Sequence, residues 1–466
     1  NRFDVYSFAL TLRNSCLKII NRFINDKNNA AVAASLLLGY RTDLDFELEN
    51  AYARAGVVHI LAVSGMHVGL IFFLLNYLLS WMDKVKKLAI AKTTLLIASI
   101  FFFSLITGLA GSVLRAAVML SVFLIGKHFK YYLSQLNILF ASAFLILIFK
   151  PTILFDVGFE LSFSAVWGIL TFQKIIFELI STPNKILNYF LNISSVSLAA
   201  QTGTIPLILY YFHQFPIHFI IANIFVIPIA SIIIYSTILL VCIFPLVNTS
   251  LLLGQIINKL IVVMNEIVVF IQSLPFALFH FRHFELEFMI LSLIAMLFML
   301  NFLNTRRYRY LNLSLVTISM IVIISTYYSY RDLNTKNIVV FEHSKYLVSN
   351  FRNGDEALLI YSKDADFTSG AFDKYIIQYY RREGVNTIKK ILYENLSDNQ
   401  QLFKWIKIDG NRIKYMGTDV AIGKYNLEIT NQDQTKTVIY VRENKYIDKR
   451  NDNFILSNNG PFTLAL

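Results

Sequence analysis

The segment His59–Ile71, HILAVSGMHVGLI, sets two histidines and a Ser-Gly step at the head of an otherwise apolar stretch of membrane-spanning length. His59 and His67 bring donors, acceptors and a proton that moves near neutral pH, and Ser64 brings a hydroxyl. Within a bilayer such groups persist only where they face protein or water. The Ser64-Gly65 step marks a helix that breaks or begins at membrane depth, where irregular backbone is tolerated inside protein or around a cavity. Three chemistries fit these residue types. One is tight packing with satisfied polar groups, helped by Gly65 and Gly69, a GxxxG step that lets helices approach closely. In another, the unit lines a conduit and uses the histidines as donors to an anionic cargo or to the free backbone of a broken helix. In the last, Ser64 is a nucleophile with a histidine base within hydrogen-bond reach.

A second polar unit follows, Thr107-Gly108-Leu109-Ala110-Gly111-Ser112 and then Leu114-Arg115-Ala116. It reads as a loop opening a helix, whose free N–H groups and dipole attract anions, with Arg115 just inside. An arginine at membrane depth pairs with a carboxylate or faces water. Asp156 and Glu160 in DVGFELSFS, which also carries Ser162, are the expected partners. A static ion pair joining two spans and a contact to cargo fit this arrangement equally. Other polar points are Gln201, Thr202, Gly203 and Thr204 before Pro206, and Asn223 with Pro228. Glu266 stands isolated and reads as a helix-end charge.

Positioning these groups requires spans. Apolar runs long enough to cross a bilayer lie at about 57–81, 88–106, 111–126, 134–149, 157–173, 191–212, 217–244, 249–274, 286–303 and 311–329, which predicts about ten transmembrane helices. Ahead of them, residues 4–24 place Val5, Phe8, Leu12, Ile19 and Phe23 at helical spacing with Arg13, Lys18 and Arg22 elsewhere on the wheel, as in an interfacial amphipathic helix. A short apolar helix should run from Ala30 to Leu38 and stop at Gly39, and Thr42-Asp43 can cap a helix through Glu47 and Arg54 towards His59. Lysines and arginines alternate between loops: Lys84, Lys86 and Lys87, then Lys127 and Lys130, then Lys174 and Lys185, then Arg306, Arg307 and Arg309, against Lys150 and Arg282 in the others. By the positive-inside rule the richer loops are cytoplasmic, which puts the N-terminal segment and the C-terminal tail outside.

Composition agrees. Of 466 residues 56% are hydrophobic, with 40 Phe and 25 Tyr and a mean hydropathy of +0.55, far from a soluble globular average. The formal charge of +12 is what lysine-rich cytoplasmic loops produce, so it does not by itself indicate nucleic acid or anionic lipid. Cys16 and Cys242, far apart in apolar surroundings, give neither a disulfide framework nor a cysteine zinc site. With Asn1 first and no signal-peptide pattern, the chain is expected to be a fragment lacking its natural N-terminus.

From Arg331 the texture changes. NIVVFEH, KYLVSNF, ALLIYS, VAIGKYNLEIT and KTVIYVR, punctuated by Ser-Lys and Asn-Gly-Asp turns, predict a β-rich soluble domain of about 135 residues. The expected organisation is therefore amphipathic helices over 1–55, an all-α polytopic channel domain with broken helices over 56–330, and an extracytoplasmic β-rich domain over 331–466.

Five blocks in this order, HILAVSGMHVGLI, TGLAGSVLRAAVM, DVGFELSFSAVWGIL, AQTGTIPLILYYFHQFP and NIFVIPIAS, with the leading Ser35–Gly39, resemble the competence domain of the ComEC family of bacterial DNA-uptake channels. The resemblance covers roughly Leu36 to Ser231. It implies an inner-membrane conduit passing single-stranded DNA to the cytoplasm in natural transformation, supplied by a periplasmic DNA receptor and pulled by a cytoplasmic helicase-type ATPase. The path candidates are then His59, Ser64, Gly65, His67, Gly108, Gly111, Ser112, Arg115, Glu160, Ser162, Gln201 and Asn223. A polyanion needs a wet passage with basic and amide donors, and aromatic faces on which bases can stack.

Two features depart from that family: little of an OB-like domain could precede the channel, and the HxHxDH cluster of the metallo-β-lactamase-like nuclease is missing. Such a metal site needs closely spaced imidazoles and carboxylates, and after Arg331 the one histidine is His343. No nuclease and no cofactor are expected, and the tail reads as a degenerate or unrelated β domain that docks DNA or partner proteins. No GxxxxGK[ST] phosphate loop occurs either, so work must come from another protein or the proton gradient. Two other classes remain: a secondary transporter or flippase for another anionic solute, built from the same discontinuous helices, and an intramembrane serine hydrolase. For the latter, Ala62-Val63-Ser64-Gly65 is similar to the GxSG loop of rhomboid proteases, with Ala62 in place of the first glycine.

Overall fold

In the computed structural model the described residues are 5–85, 88–129, 134–281, 284–333, 336–343, 346–361, 376, 379–380, 385, 387–393, 395, 405–409, 411–415, 418–422, 426–430, 436–442, 445–450, 453–457 and 462–465. Lys86, Lys87, Lys130 and Arg282 of the loop-charge argument and the Ser344-Lys345 turn lie outside them. The chain divides into two compact units, residues 1–279 and 280–466.

Apart from the short strand Gln214–Pro216, the first unit is built of helices: α1 (Val5–Phe23), α2 (Lys27–Leu38), α3 (Phe46–Ala55), α4 (Val58–Leu61), α5 (Gly65–Leu78), α6 (Ala89–Ile106), α7 (Gly111–His128), α8 (Gln135–Phe149), α9 (Val157–Ile180), α10 (Lys185–Phe212), α11 (Phe219–Ile243) and α12 (Val247–Ser273). In the second unit, α13 (Leu286–Thr305) and α14 (Tyr308–Leu333) pack as an antiparallel pair ahead of the strands. Among the described residues eight helices are long and apolar enough to cross a membrane: α6, α7, α9 to α13, and α14 up to Tyr328. Two of the ten expected spans are shorter. The first is interrupted after Leu61, leaving α5 with 14 residues, and α8 has 15; at 1.5 Å per residue each covers about 21–23 Å of a hydrocarbon core about 30 Å thick. Phe140, Phe144 and Phe149 on α8 and Val316, Val322 and Ile323 on α14 are exposed, as side chains that meet lipid tails must be. The protein is a multi-pass membrane protein with a small β-rich C-terminal region.

The core of the first unit forms around α2, of whose 12 residues ten are buried, Asn29 and Ser35 among them. Asp26 caps it through Asn29 N at 2.9 Å, and Gly39 ends it at φ 70°, a left-handed conformation that costs a side chain but not glycine. The amphipathic α1 is present and packs its buried Ala9, Cys16, Ile20 and Phe23 onto the unit, with α2, α6, α11 and α12 as neighbours. α3 is capped by Asp45 rather than by Thr42-Asp43, and it stops at Gly56 short of His59; the carboxylate one position before the helix reaches the free Glu47 N–H at 3.1 Å. Cys16 is buried, Cys242 is exposed, and both are free thiols.

α9 and α10 approach one another closely. A Cβ on Gly203 would stand 2.9 Å from Gly168 Cα and collide with the Ser164 carbonyl, while one on Gly168 would stand 3.0 Å from Gly203 Cα and collide with the Ala199 carbonyl. Backbone therefore touches backbone, as small residues permit. At the expected GxxxG step the structure uses only Gly65, whose Cβ would sit 3.5 Å from Ala116 Cβ; Gly69 has nothing within 4 Å. Glu266 is not isolated: it lines an open cleft of about 570 Å³ with Asp26 and Asp45.

In the second unit strands follow the predicted runs. An antiparallel meander of seven joins 406–409, 412–415, 418–422, 426–430, 436–442, 445–450 and 453–457 in sequence order, VAIGKYNLEIT breaking into two of them. A five-stranded sheet runs 462–465, 336–343, 346–353, 356–361, 387–392, with the last pair parallel. Ile338, Phe351, Leu358 and Ile360 share a buried core with Ile408, Ile413, Val420 and Leu427, so the two sheets face one another.

Candidate functional site

The expected break is present. α4 ends at Leu61, Ala62 and Ser64 are extended (φ −87°, ψ 132° and φ −122°, ψ 176°), and α5 starts at Gly65. Backbone groups freed at a break in a membrane protein must find partners inside the protein, and here they do. Leu61 O accepts from Arg41 Nε at 3.3 Å. Val63 O accepts from Ser112 Oγ at 2.5 Å. Ser64 N–H donates to His67 Nδ1 at 3.1 Å, while Ser64 O accepts from His67 N and Val68 N at 3.1 and 3.3 Å. The serine and histidine thus form a capping box at the head of α5. Further along, Leu70 O accepts from Tyr235 OH of α11 at 3.1 Å.

Ser64 Oγ also lies 3.1 Å from His67 Nδ1, the contact a hydrolase reading requires. The same nitrogen accepts the Ser64 backbone N–H, and the proton of the neutral ring then sits on Nε2. That Nε2 is buried with no hydrogen-bond partner. A catalytic base has its second nitrogen oriented by a third group, and none does so here among the described residues. His59, on α4 beside the break, is exposed.

The Thr107–Ala116 motif meets the His59–Ile71 motif at this break. The turn between α6 and α7 places Gly108 at φ 75° and Leu109 at φ 57°, the latter a left-handed non-glycine residue that costs of order 1 kcal/mol and persists only where surroundings hold it. Thr107 is buried and its hydroxyl returns to Phe103 O and Ser104 O. The turn delivers Gly111 and Ser112 to the N-terminus of α7, with Ser112 bonded across to Val63. Gly39 packs beside it, its Cβ position 3.1 Å from Val63 Cγ2 and 4.0 Å from Thr107 O. Arg13 of α1 reaches the same place: its Nη1 lies 3.3 Å from the Cβ position of Gly108, and its guanidinium sits 5.3 Å from the centre of the Tyr40 ring.

Arg115 does not make the expected ion pair. Asp156 spends its Oδ1 on capping α9 through Phe159 N at 2.9 Å, and Glu160 accepts from Tyr211 OH of α10 at 2.9 Å. The guanidinium instead lies against the first turns of two helices, Nη1 3.0 Å from a Cβ on Gly111 and Nη2 3.5 Å from one on Gly158. Its Nε is buried with no partner. His59, Ser64, Gly65, His67, Gly108, Gly111, Ser112 and Arg115 are therefore brought together along α4 to α7. Glu160 lies one turn into α9. Ser162 and Gln201 are half-buried on α9 and α10, and Asn223 is buried on α11 with Oδ1 unpartnered. Sequence reasoning missed Arg41, Tyr235 and the reach of Arg13; no spacing marks them, since each is carried in by folding of a different helix or loop.

The break, both loop motifs and α9 to α11 lie within residues 36–306, which match the family model described as Competence protein. This chain belongs to the Competence protein family. The matched span begins after Arg13, so α1 adds its cation from outside it. Among relatives, ComE operon protein 3 of Bacillus subtilis is 33% identical over 220 residues, 47% of this chain and 27% of that protein. An uncharacterized protein of Aquifex aeolicus is 31% identical over 200 residues, 42% of this chain and 44% of that one. The chain thus spans less than half the length of the relatives it matches. No solved structure matches it. Among the described residues there is no group of three or more His, Cys, Asp or Glu side chains placed to hold a metal ion.

Proposed function

We propose that this competence-family protein acts in DNA uptake as an inner-membrane conduit, passing single-stranded DNA into the cytoplasm during natural transformation. The observation that carries the proposal is the α4–α5 break, where backbone, hydroxyl, imidazole and arginine groups of five helices and two loops gather inside a membrane protein. A polyanion cannot cross hydrocarbon, and such a gathering supplies donors along a route that a strand can follow. Exposed His59 beside the break supports a hydrated stretch of that route. The lysine-rich loops support a cytoplasmic placement for their side of the membrane, with the N-terminal segment and the β-rich region outside. A periplasmic receptor would deliver DNA, a cytoplasmic helicase-type ATPase would pull it, and the β-rich region would dock DNA or those partners. The chain itself would be no nuclease, since its sequence lacks the HxHxDH cluster.

Uptake of labelled DNA into cells carrying His67→Ala or Arg115→Ala, with membrane expression verified, tests the reading. External DNA binding should persist while cytoplasmic arrival falls. Unchanged arrival in both variants would leave these groups as packing and refute the conduit. A transporter for another anionic solute would instead occlude a pocket near the midplane, whereas a strand needs a continuous path about 10 Å wide. The 3.1 Å Ser64–His67 contact favours examining the hydrolase as well. A serine-reactive probe should leave Ser64 unlabelled, because Nδ1 serves the helix cap; labelling abolished by Ser64→Ala would establish the hydrolase.

A further inference from the structure

We propose that Arg115, held between the first turns of α7 and α9, binds a single phosphate group of the nucleic-acid backbone. The identity of that anion rests on the conduit reading; the existence of an anion site does not. Arg115 is 5% exposed, and its guanidinium makes no hydrogen bond or ion pair with any described residue, Nε being fully enclosed. The enclosed Nε is an N–H donor left without an acceptor, which is costly, and Nη1 and Nη2 have no protein acceptor among the described residues. The two carboxylates in reach are committed elsewhere, Asp156 to the Phe159 N–H and Glu160 to Tyr211.

Two helix starts add positive potential around the guanidinium, and Asp156, near enough to act on Arg115 electrostatically without pairing with it, offsets part of that. Nη1 and Nη2 lie beside Gly111, the first residue of α7, and Gly158, the second of α9. Free N–H groups at a helix start carry partial positive charge. Both glycines are exposed, so their bare backbone leaves an approach to the guanidinium that a side chain would close. A cation placed at two positive helix ends is unfavourable alone and becomes favourable once an anion sits among them. The planar fork of arginine suits two oxygens of one phosphate. Asp156 Oδ1, 3.0 Å from the same Gly158 Cβ position, keeps the grip weak, as release of a moving strand demands.

The full chain in detergent would be titrated with fluorescent oligothymidine and with inorganic phosphate over a salt series, as wild type, Arg115→Gln, Arg115→Lys and Gly111→Ala. Arg115→Gln should weaken oligothymidine binding about ten- to a hundredfold, as loss of a charged hydrogen bond does. It should also flatten the slope of log K against log salt by about 0.7, the value for one phosphate on a single strand. Arg115→Lys should keep most of the slope with reduced affinity, and Gly111→Ala, which crowds Nη1, should weaken binding with the charge retained. If phosphate binds in an Arg115-dependent way but oligothymidine does not bind, the anion site stands and the DNA conduit falls. A folded Arg115→Gln with unchanged affinity and slope, or a wild type that binds neither probe, overturns the proposal. Should Arg115→Gln fail to assemble, unchanged binding in both other variants overturns it equally.

Discussion

Ser112→Ala removes the hydroxyl that joins the two polar motifs. In the native protein Ser112 Oγ donates to Val63 O at 2.5 Å, and Val63 is 3% exposed, so water cannot take over the bond. A buried carbonyl left without a donor costs about 1–3 kcal/mol, and the loss acts on the break because Val63 O has no helical N–H to return to. With RT near 0.6 kcal/mol, local opening at residues 62–66 should become about five- to a hundredfold more frequent. Amide hydrogen exchange of the full chain in detergent reads this directly: exchange at these residues should rise by that factor while the amides of α9 and α10 stay unchanged. Ser112→Thr, which keeps the hydroxyl, should restore protection. Unchanged exchange in Ser112→Ala would show that the α6–α7 turn does not hold the broken helix, and the picture of two motifs forming one site would be wrong.

At the α9–α10 contact, Gly203→Leu must force the helices apart by at least about 0.5 Å, from 2.9 Å to ordinary contact near 3.4 Å at Gly168 Cα; unfolding in detergent should show a loss of about 1–3 kcal/mol, and an unchanged midpoint would refute the close approach. In the β-rich region burial raises Tyr380 and Tyr415 well above the usual phenol range, with Tyr379 adding to the first and Arg352 and an Asn337 backbone bond opposing the second. A raised folded value means that their contribution is complete below about pH 10, the unfolded value, and is lost as pH climbs towards the folded one. Tyrosinate absorbance should therefore rise late and together with unfolding of this region, and Tyr415→Phe should reduce the alkaline sensitivity; early titration of both rings would contradict their burial.

Much was legible in the chain itself. The apolar runs specify membrane helices because a bilayer leaves no alternative for so many Phe, Leu and Ile, and the short β-branched and aromatic runs in NIVVFEH and KTVIYVR specify strands because such side chains pack well on a pleated sheet. The Ser64-Gly65 break was readable for a local reason: a polar Ser-Gly step inside a membrane-length apolar run marks a helix that breaks or begins there. Helix ends were less legible. Asp43 and Asp45 both can cap, and which one meets a free N–H depends on how the chain arrives.

Partnership was decided by tertiary structure alone. Nothing in the spacing of Arg41, Ser112 and Tyr235 tells that they serve Leu61, Val63 and Leu70, because those bonds join segments 20 to 165 residues apart. Arg115 shows the same limit from the other side. Sequence supplied a cation and two carboxylates and invited an ion pair, yet Asp156 caps its own helix start three residues away, a bond that needs little further ordering, and the packing of α10 on α9 brings Tyr211 to Glu160. What residues a chain owns fixes which chemistry is possible; which of them meet is settled only when the helices pack.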